Sequence, residues 1–79
     1  MTRVLLTFES LHKLLAAEKS IIEVGNRAYL VRPTPTPPEI ADTVCGMSLE
    51  ILSLELKESI VKHLNDSQLK PKDIHEIAD

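Results

Sequence analysis

The sequence predicts an α+β domain in which two helices cover one face of a four-stranded antiparallel sheet. Two segments carry apolar residues at helical spacing, and four short segments have the composition or the alternation of β-strands. Along the chain the six segments follow the order strand, helix, strand, strand, helix, strand. A chain of 79 residues can form one modest core, so a single domain over residues 1–79 is expected.

The first strand and the first helix are predicted from the N-terminal third of the chain. Residues 3–8 read RVLLTF, a continuous apolar run that is typical of a central strand. Ser10 offers a side-chain oxygen for the N-cap of a helix. Six apolar residues then recur at helical spacing: Leu11, Leu14, Leu15, Ile21, Ile22 and Val24. Gly25 and Asn26 follow them and predict a left-handed helix end.

A second strand and a proline-rich loop are predicted next. Residues 28–32 read AYLVR, and the prolines within 33–38 should end this strand because proline donates no hydrogen bond to a β-ladder. Thr36 and Glu39 have the spacing of a capping box, which predicts a short helical turn over residues 37–43.

The last three elements complete the order βαββαβ. Residues 47–52 alternate apolar and polar side chains and predict the third strand. A second amphipathic helix is predicted from four apolar residues: Leu56, Ile60, Val61 and Leu64. Residues 73–79 are interpreted as an edge strand, the alternative being a helical turn that begins at Pro71. This order predicts the ferredoxin-like arrangement, with both helices on one face of the sheet.

The composition argues against several classes of function. Nine basic and twelve acidic residues give a net charge of −3, and there is one Phe, one Tyr and no Trp, which disfavours a nucleic-acid partner. The apolar runs are too short to span a membrane, and no signal peptide is apparent. A lone cysteine forms no internal disulfide, so a reducing cytoplasm is the expected compartment.

The templates of common enzyme chemistry are also missing from the sequence. Two glycines cannot build a glycine-rich phosphate loop, and no cysteine or histidine pair has the spacing of metal ligands. We therefore expect neither a metal nor a cofactor. The absence of an acid–base pair favours a carrier or a binding protein over an enzyme.

Cys45 is the residue with the clearest reactive potential. It is either a small buried apolar side chain or a reactive thiol. In the predicted topology the third strand lies antiparallel to the first, so Cys45 at its start should fall near Phe8 and Glu9. The first helix begins there, and its N-terminus favours an anion, to which Ser10 and His12 would add support. The carbonyl end of the short turn before Cys45 would oppose this effect.

The order of several motifs resembles the selenium/sulfur carrier-like family. The motifs are TFESLHKLLAAEK over residues 7–19, then the proline–threonine stretch, then Cys-Gly. The positions that fit the family pattern are Phe8, Ser10, His12, Glu18, Lys19, Cys45 and Gly46. The resemblance covers residues 3–53. The arginine that usually follows Pro-x-Pro in the family is replaced by Thr36 or Pro38, and Arg32 could supply that charge.

The resemblance implies that Cys45 carries sulfur or selenium as a persulfide or perselenide, received from a donor protein such as a cysteine desulfurase. Other site residues are expected to steady the anion, admit the donor or hold the wall of the site: Ser10, His12, Gly46, Pro35, Pro37 and Arg32. The alternative function is a non-catalytic binding or protein-interaction module in which Cys45 is structural. Exposed sheet edges also make a homodimer possible.

Overall fold

The computed structural model describes residues 2–25, 31–40 and 46–78, whose elements follow the predicted order. The strands and helices are β1 (Thr2–Thr7), α1 (Leu11–Gly25), β2 (Val31–Pro35), β3 (Met47–Ile51), α2 (Lys57–Asp66) and β4 (Asp73–Ala78). The strands form one sheet in the order β2-β3-β1-β4, and every neighbouring pair is antiparallel. The predicted α+β class, with two helices and a four-stranded antiparallel sheet, is confirmed.

A single apolar core joins the sheet to both helices. Alternate strand positions supply one side of this core because side chains in a strand point to opposite faces in turn. The buried residues of the cluster are Val4, Leu6, Phe8, Leu14, Ala17, Ile21, Val31, Leu49, Ile51, Ile60 and Leu64. Since both helices contribute to the same cluster, they cover the same face of the sheet. A hydrogen bond of 2.7 Å between Ser20 Oγ and His63 Nε2 also joins α1 to α2.

The start of α1 has the predicted cap. Ser10 Oγ accepts a hydrogen bond from the Lys13 backbone N–H at 3.2 Å, and the Ser10 carbonyl accepts one from Leu14 N–H at 3.1 Å. The first contact satisfies one of the four N–H groups that an α-helix leaves unpaired at its start, and the second is the first backbone hydrogen bond of the helix. The helix includes Gly25, which was predicted to follow it as a left-handed end, and Asn26 lies outside the described residues. In the described residues, neither helix has the length and hydrophobicity of a membrane span.

The prediction for β2 was wrong at its C-terminal end, and residues 28–30 lie outside the described residues. The strand continues through Pro33 and Pro35. Thr36 N–H donates to the Gly46 carbonyl at 3.0 Å, so the even-numbered residues here bond to β3. Hydrogen-bonded positions alternate in an antiparallel pair, and the two proline nitrogens therefore face away from the sheet. An edge strand accepts proline at such positions.

The proposed helical turn over residues 37–43 is described only in part. The Ile40 N–H donates to the Pro37 carbonyl at 3.0 Å and closes a turn, while residues 41–43 lie outside the described residues. The hydroxyl of Thr36 does not act as the predicted helix cap. It makes a 2.7 Å hydrogen bond with the hydroxyl of Ser48 instead.

The C-terminal elements agree with their predicted types. A short 3-10 turn at Leu54–Leu56 precedes α2, so the α-helix begins at Lys57, one residue later than expected. The tail forms β4, which pairs with β1 at the side of the sheet opposite β2. The interpretation of the tail as an edge strand is thereby confirmed.

Candidate functional site

The candidate site is the corner at which β1 ends, α1 begins and β3 begins. We call it the β1–α1 corner and define it by residues 7–12 and 46–48. Thr7 is the sheet partner of Ser48, so the start of β3 lies beside the end of β1, as the sequence predicts. Cys45 lies outside the described residues and is joined to the corner by its peptide bond to Gly46.

The start of α1 contributes backbone donors to this corner. Because the Ser10 hydroxyl accepts the Lys13 N–H, it serves first to cap the helix. Among the described residues, no acceptor is found for the N–H groups of Leu11 and His12, and such groups point outward along the axis at a helix start. The side chain of His12 is exposed in the same turn. The helix start therefore offers two backbone donors and one imidazole.

Gly46 adopts a backbone conformation that favours glycine. The φ angle of Gly46 is +74°, and the residue is exposed. The Gly46 carbonyl accepts a hydrogen bond from the Thr36 N–H. Among the described residues, leaving out its chain neighbours, no atom lies within 4 Å of a Cβ atom built at this position. The left-handed backbone is therefore the observed reason for glycine here.

We expect Gly46→Ala to lower the free energy of unfolding by about 1 kcal/mol, because an L-residue with a Cβ is strained at positive φ. Gly46→Asn should cost less, since asparagine tolerates this region better. Urea denaturation of the three proteins measures the difference. An alanine variant as stable as the wild type would contradict the left-handed conformation.

Buried hydroxyl groups hold the strand ends together beneath the corner. Ser48 is fully buried and shares its hydrogen bond with Thr36 of the segment that follows β2. Thr7 is also fully buried; its Oγ1 donates to the Asp73 carbonyl at 3.4 Å, and its own carbonyl accepts the Lys72 N–H at 2.7 Å. These contacts join the end of β2 to the start of β3 and the end of β1 to the start of β4. Sequence reasoning did not single out Thr7 or Ser48, and it assigned Thr36 to a helix cap.

The charges at the corner are partly balanced. Glu9 accepts a 2.8 Å hydrogen bond from Lys13 Nζ in an exposed ion pair. The hydrogen bond and the positive charge of Lys13 lower the pKa of Glu9, slight burial works in the opposite direction, and the charge of Lys72 adds to the lowering. A small cavity of about 90 Å³ beside this turn is lined by Phe8, Lys13, Gln68, Leu69 and Lys70. Lysine side chains thus surround the beginning of α1.

The two predicted prolines lie at the same end of the sheet. Pro35 is the last residue of β2 and the sheet partner of Met47, the first residue of β3. Pro37 follows two residues later and accepts the Ile40 N–H. The structure therefore brings Ser10, His12, Gly46, Pro35 and Pro37 to one end of the sheet.

Arg32 belongs to a different part of the sheet surface. It lies three residues before Pro35, roughly 10 Å along an extended strand. Its Nε and Nη2 atoms each lie 3.4 Å from Glu50 Oε1. Arg3 Nε donates to Glu50 Oε2 at 3.0 Å and Arg3 Nη2 to Oε1 at 3.2 Å. Two guanidinium groups thus hold one carboxylate that is 7% exposed, on the face of the sheet opposite the helices.

The contacts of Glu50 predict a pH-dependent contribution to stability. The hydrogen bond from Arg3 lowers the pKa of Glu50 most, burial opposes the lowering, and the charges of Arg3 and Arg32 reinforce it. A lowered folded-state pKa gives stability that is present above the unfolded pKa of about 4.3 and is lost as the pH falls through the folded value. We expect Glu50→Gln to cost about 1–2 kcal/mol at pH 7, since both arginines can be partly rehydrated.

Urea denaturation at neutral pH and at pH 3 tests this prediction. The difference between wild type and Glu50→Gln should shrink toward acid pH, because the lowered pKa of Glu50 means that this stability is lost as the carboxyl group takes up a proton. Glu9→Gln is the matched control, because the same substitution there removes an exposed ion pair and should have a much smaller effect. A Glu50→Gln effect that is equal at both pH values would contradict the role of charge.

The described residues hold no group of three or more His, Cys, Asp or Glu side chains that could bind a metal ion. They form a small α+β domain in which the beginning of a helix lies beside the start of β3, and β3 starts two residues after the lone cysteine.

Comparison with known proteins places this domain in a family. The chain belongs to the family described as "Putative Se/S carrier protein-like", whose model matches residues 3–76. The match extends past the motifs of the first 53 residues into α2 and β4. No curated protein and no solved structure matches the chain.

Proposed function

We propose that this protein is a sulfur or selenium carrier and that Cys45 accepts the transferred atom as a persulfide or perselenide. Membership of the Se/S carrier-like family is the observation that carries the proposal. The position of the cysteine supports it, since Cys45 directly precedes the exposed Gly46 at the β1–α1 corner.

The proposed transfer conserves atoms and electrons. The Cys45 thiolate attacks the terminal sulfur of a persulfide on a donor protein, and a new S–S bond forms as the S–S bond of the donor breaks. The donor cysteine leaves as a thiolate, and Cys45 becomes the persulfide. Attack by an acceptor thiolate on that terminal sulfur reverses these roles and releases Cys45. A cysteine desulfurase is the donor class that we propose, and the selenium reaction follows the same steps.

The surroundings of the corner suit a sulfur anion. A free cysteine has a pKa of about 8.5, so only ~3% is thiolate at pH 7. A helix N-terminus contributes about 0.3–1 kcal/mol, which would raise the thiolate fraction to ~5–14%. The N–H groups of Leu11 and His12, for which no acceptor is found among the described residues, support this role, and Lys70 adds positive charge near the start of α1. We propose that Ser10 acts by holding the helix start and His12 by donating to the anion.

The remaining expected site residues have separate proposed roles. Gly46 would leave room for the donor, since it has no side chain and no described residue beyond its chain neighbours comes within 4 Å of where a Cβ atom would lie. Pro35 and Pro37 would stiffen the end of β2 and the segment that follows it. Arg32 would act at most on an approaching partner, because its guanidinium group faces Glu50.

We further propose that the fold is ferredoxin-like and that the protein works in a reducing cytoplasm. The strand order β2-β3-β1-β4 and the helical connections from β1 to β2 and from β3 to β4 support the first statement. The lone cysteine supports the second, because a thiol that carries sulfur must be protected from oxidation.

Mass spectrometry of the intact protein tests the carrier function. After incubation with a cysteine desulfurase and cysteine, the wild type should gain the mass of one sulfur atom, and a thiol reductant should remove it. Absence of any gain, with a donor that labels a known acceptor in parallel, would overturn the proposal.

Alkylation separates the carrier from an interaction module with a structural cysteine. A carrier thiol should react with iodoacetamide in the folded protein, with an apparent pKa below 8.5. A cysteine that reacts only after unfolding would favour the interaction module.

A further inference from the structure

The two edges of the sheet differ in their capacity to pair with another strand. At the β2 edge, Pro33 and Pro35 occupy the positions that face outward, so two of the backbone donors of an ordinary edge are missing. The β4 edge contains no proline over Asp73–Ala78. Its six residues therefore keep all of their backbone donors and acceptors.

The register identifies which groups of β4 face outward. The Thr36–Gly46 hydrogen bond shows that the even-numbered residues of β3 bond to β2, so its odd-numbered residues bond to β1. Following the register across β1, the even-numbered residues of β1 bond to β3 and its odd-numbered residues bond to β4. The odd-numbered residues of β4 therefore bond to β1. The N–H and C=O groups of Ile74, Glu76 and Ala78 consequently point away from the sheet. No partner for these backbone groups is found within residues 2–25, 31–40 and 46–78.

A groove between α2 and β4 adjoins this edge. Two cavities of about 320 and 250 Å³ lie along it and share Val61, Asn65 and Ile74 in their walls. Ile74 is 41% exposed, although it lies on the helix-covered side of the sheet. A strand added to β4 would cover these apolar side chains and pair the outward backbone groups.

We propose that β4 pairs with β4 of a second copy of this chain, antiparallel about a two-fold axis, to form a homodimer with one continuous sheet. Such an axis requires each outward residue to meet an outward residue of the other copy. If the two-fold axis passes beside His75, Ile74 of each copy lies opposite Glu76 of the other copy. These two residue pairs together form four backbone hydrogen bonds. Centring on Glu76 would oppose two carboxylates, which is unfavourable.

The charges on α2 favour a second copy as the occupant. The same axis places the two α2 helices antiparallel beside each other, near Val61. Lys57, which donates to Glu76 of its own chain at 3.1 Å, then approaches Asp66 of the other copy, and Glu58 approaches Lys62, so opposite signs meet in these two pairs. The apolar contact is small, and the dimer belongs with weak interfaces of less than about 1,200 Å².

Sedimentation velocity from micromolar to millimolar protein, under reducing conditions that prevent a disulfide through Cys45, tests the proposal. The wild type should approach twice the mass of one chain as the concentration rises. Glu76→Pro should remain monomeric, because proline removes an outward N–H without removing a bond to β1. Glu76→Ala is the matched control, since it loses the same side chain and keeps that N–H.

A second pair of variants tests the register without proline. Ile74→Glu and Ile74→Lys lose the same apolar side chain, but only glutamate would repel Glu76 of the other copy. We expect Ile74→Glu to abolish dimerisation and Ile74→Lys to retain it. Amide exchange in the wild type should show protection at residues 74 and 76 that increases with protein concentration.

The proposal is overturned by a wild type that stays monomeric at millimolar concentration. Equal dimerisation of Glu76→Pro and Glu76→Ala, or of the two Ile74 variants, would also overturn it. Such a result would mean that the dimer interface lies on another surface. Sulfur transfer by a monomer would leave the carrier function intact, so the two proposals fail separately.

Discussion

Cys45→Ser should abolish the gain of one sulfur mass that we expect after incubation with a cysteine desulfurase and cysteine. Serine is close to cysteine in size, but its hydroxyl oxygen does not form a stable bond to transferred sulfur under these conditions. The loss should therefore be complete, while the thermal unfolding of the variant stays close to that of the wild type. Mass spectrometry and circular dichroism of the same samples measure both properties.

A relocated thiol provides the control for this experiment. Ser59 is exposed on α2, and adding Ser59→Cys to the Cys45→Ser variant restores one accessible cysteine at a different position. Specific transfer predicts that this protein gains no sulfur above the non-enzymatic background. Equal labelling of Cys45 and the relocated cysteine would mean that the enzyme modifies any exposed thiol.

Phe8→Ala should produce the largest loss of stability. Phe8 is the chain's one phenylalanine, is 1% exposed and belongs to the core cluster directly before α1. Removing a buried phenyl ring costs about 3–5 kcal/mol, because apolar burial is lost and a cavity remains. A domain of this size is stable by only ~4–12 kcal/mol. We expect the urea midpoint to fall steeply, with partial unfolding in water.

Leu15→Ala is the control for the loss of an apolar side chain. Leu15 lies on α1 and is 46% exposed, so its truncation should cost less than about 1 kcal/mol. A Phe8→Ala variant no less stable than Leu15→Ala would show that Phe8 is not part of the core.

Local patterns were sufficient to predict most elements of the fold. The helical spacing of α1 and the Ser10 cap depend on residues that are close in sequence, and the structure agrees with both. The end of β2 could not be predicted in this way. Whether Pro33 interrupts a strand depends on whether that strand lies at an edge, which is a property of the whole sheet.

The candidate site, like the fold, could be predicted only in part. Strand order alone brings the start of β3 to the beginning of α1, so this feature was predicted from topology. The Thr36–Ser48 and Arg32–Glu50 contacts depend on the register between β2 and β3, and no local pattern specifies that register. The deviation of Gly46 to positive φ likewise follows from how β3 begins.

The prolines of β2 limit how many copies can join edge to edge. If β4 pairs with β4, each chain uses its one competent edge, and both outer borders of the combined eight-stranded sheet are β2 strands with Pro33 and Pro35. A third chain finds no border with a full set of donors. In such a dimer, addition of further chains through the strand edges that the structure describes would stop at two copies.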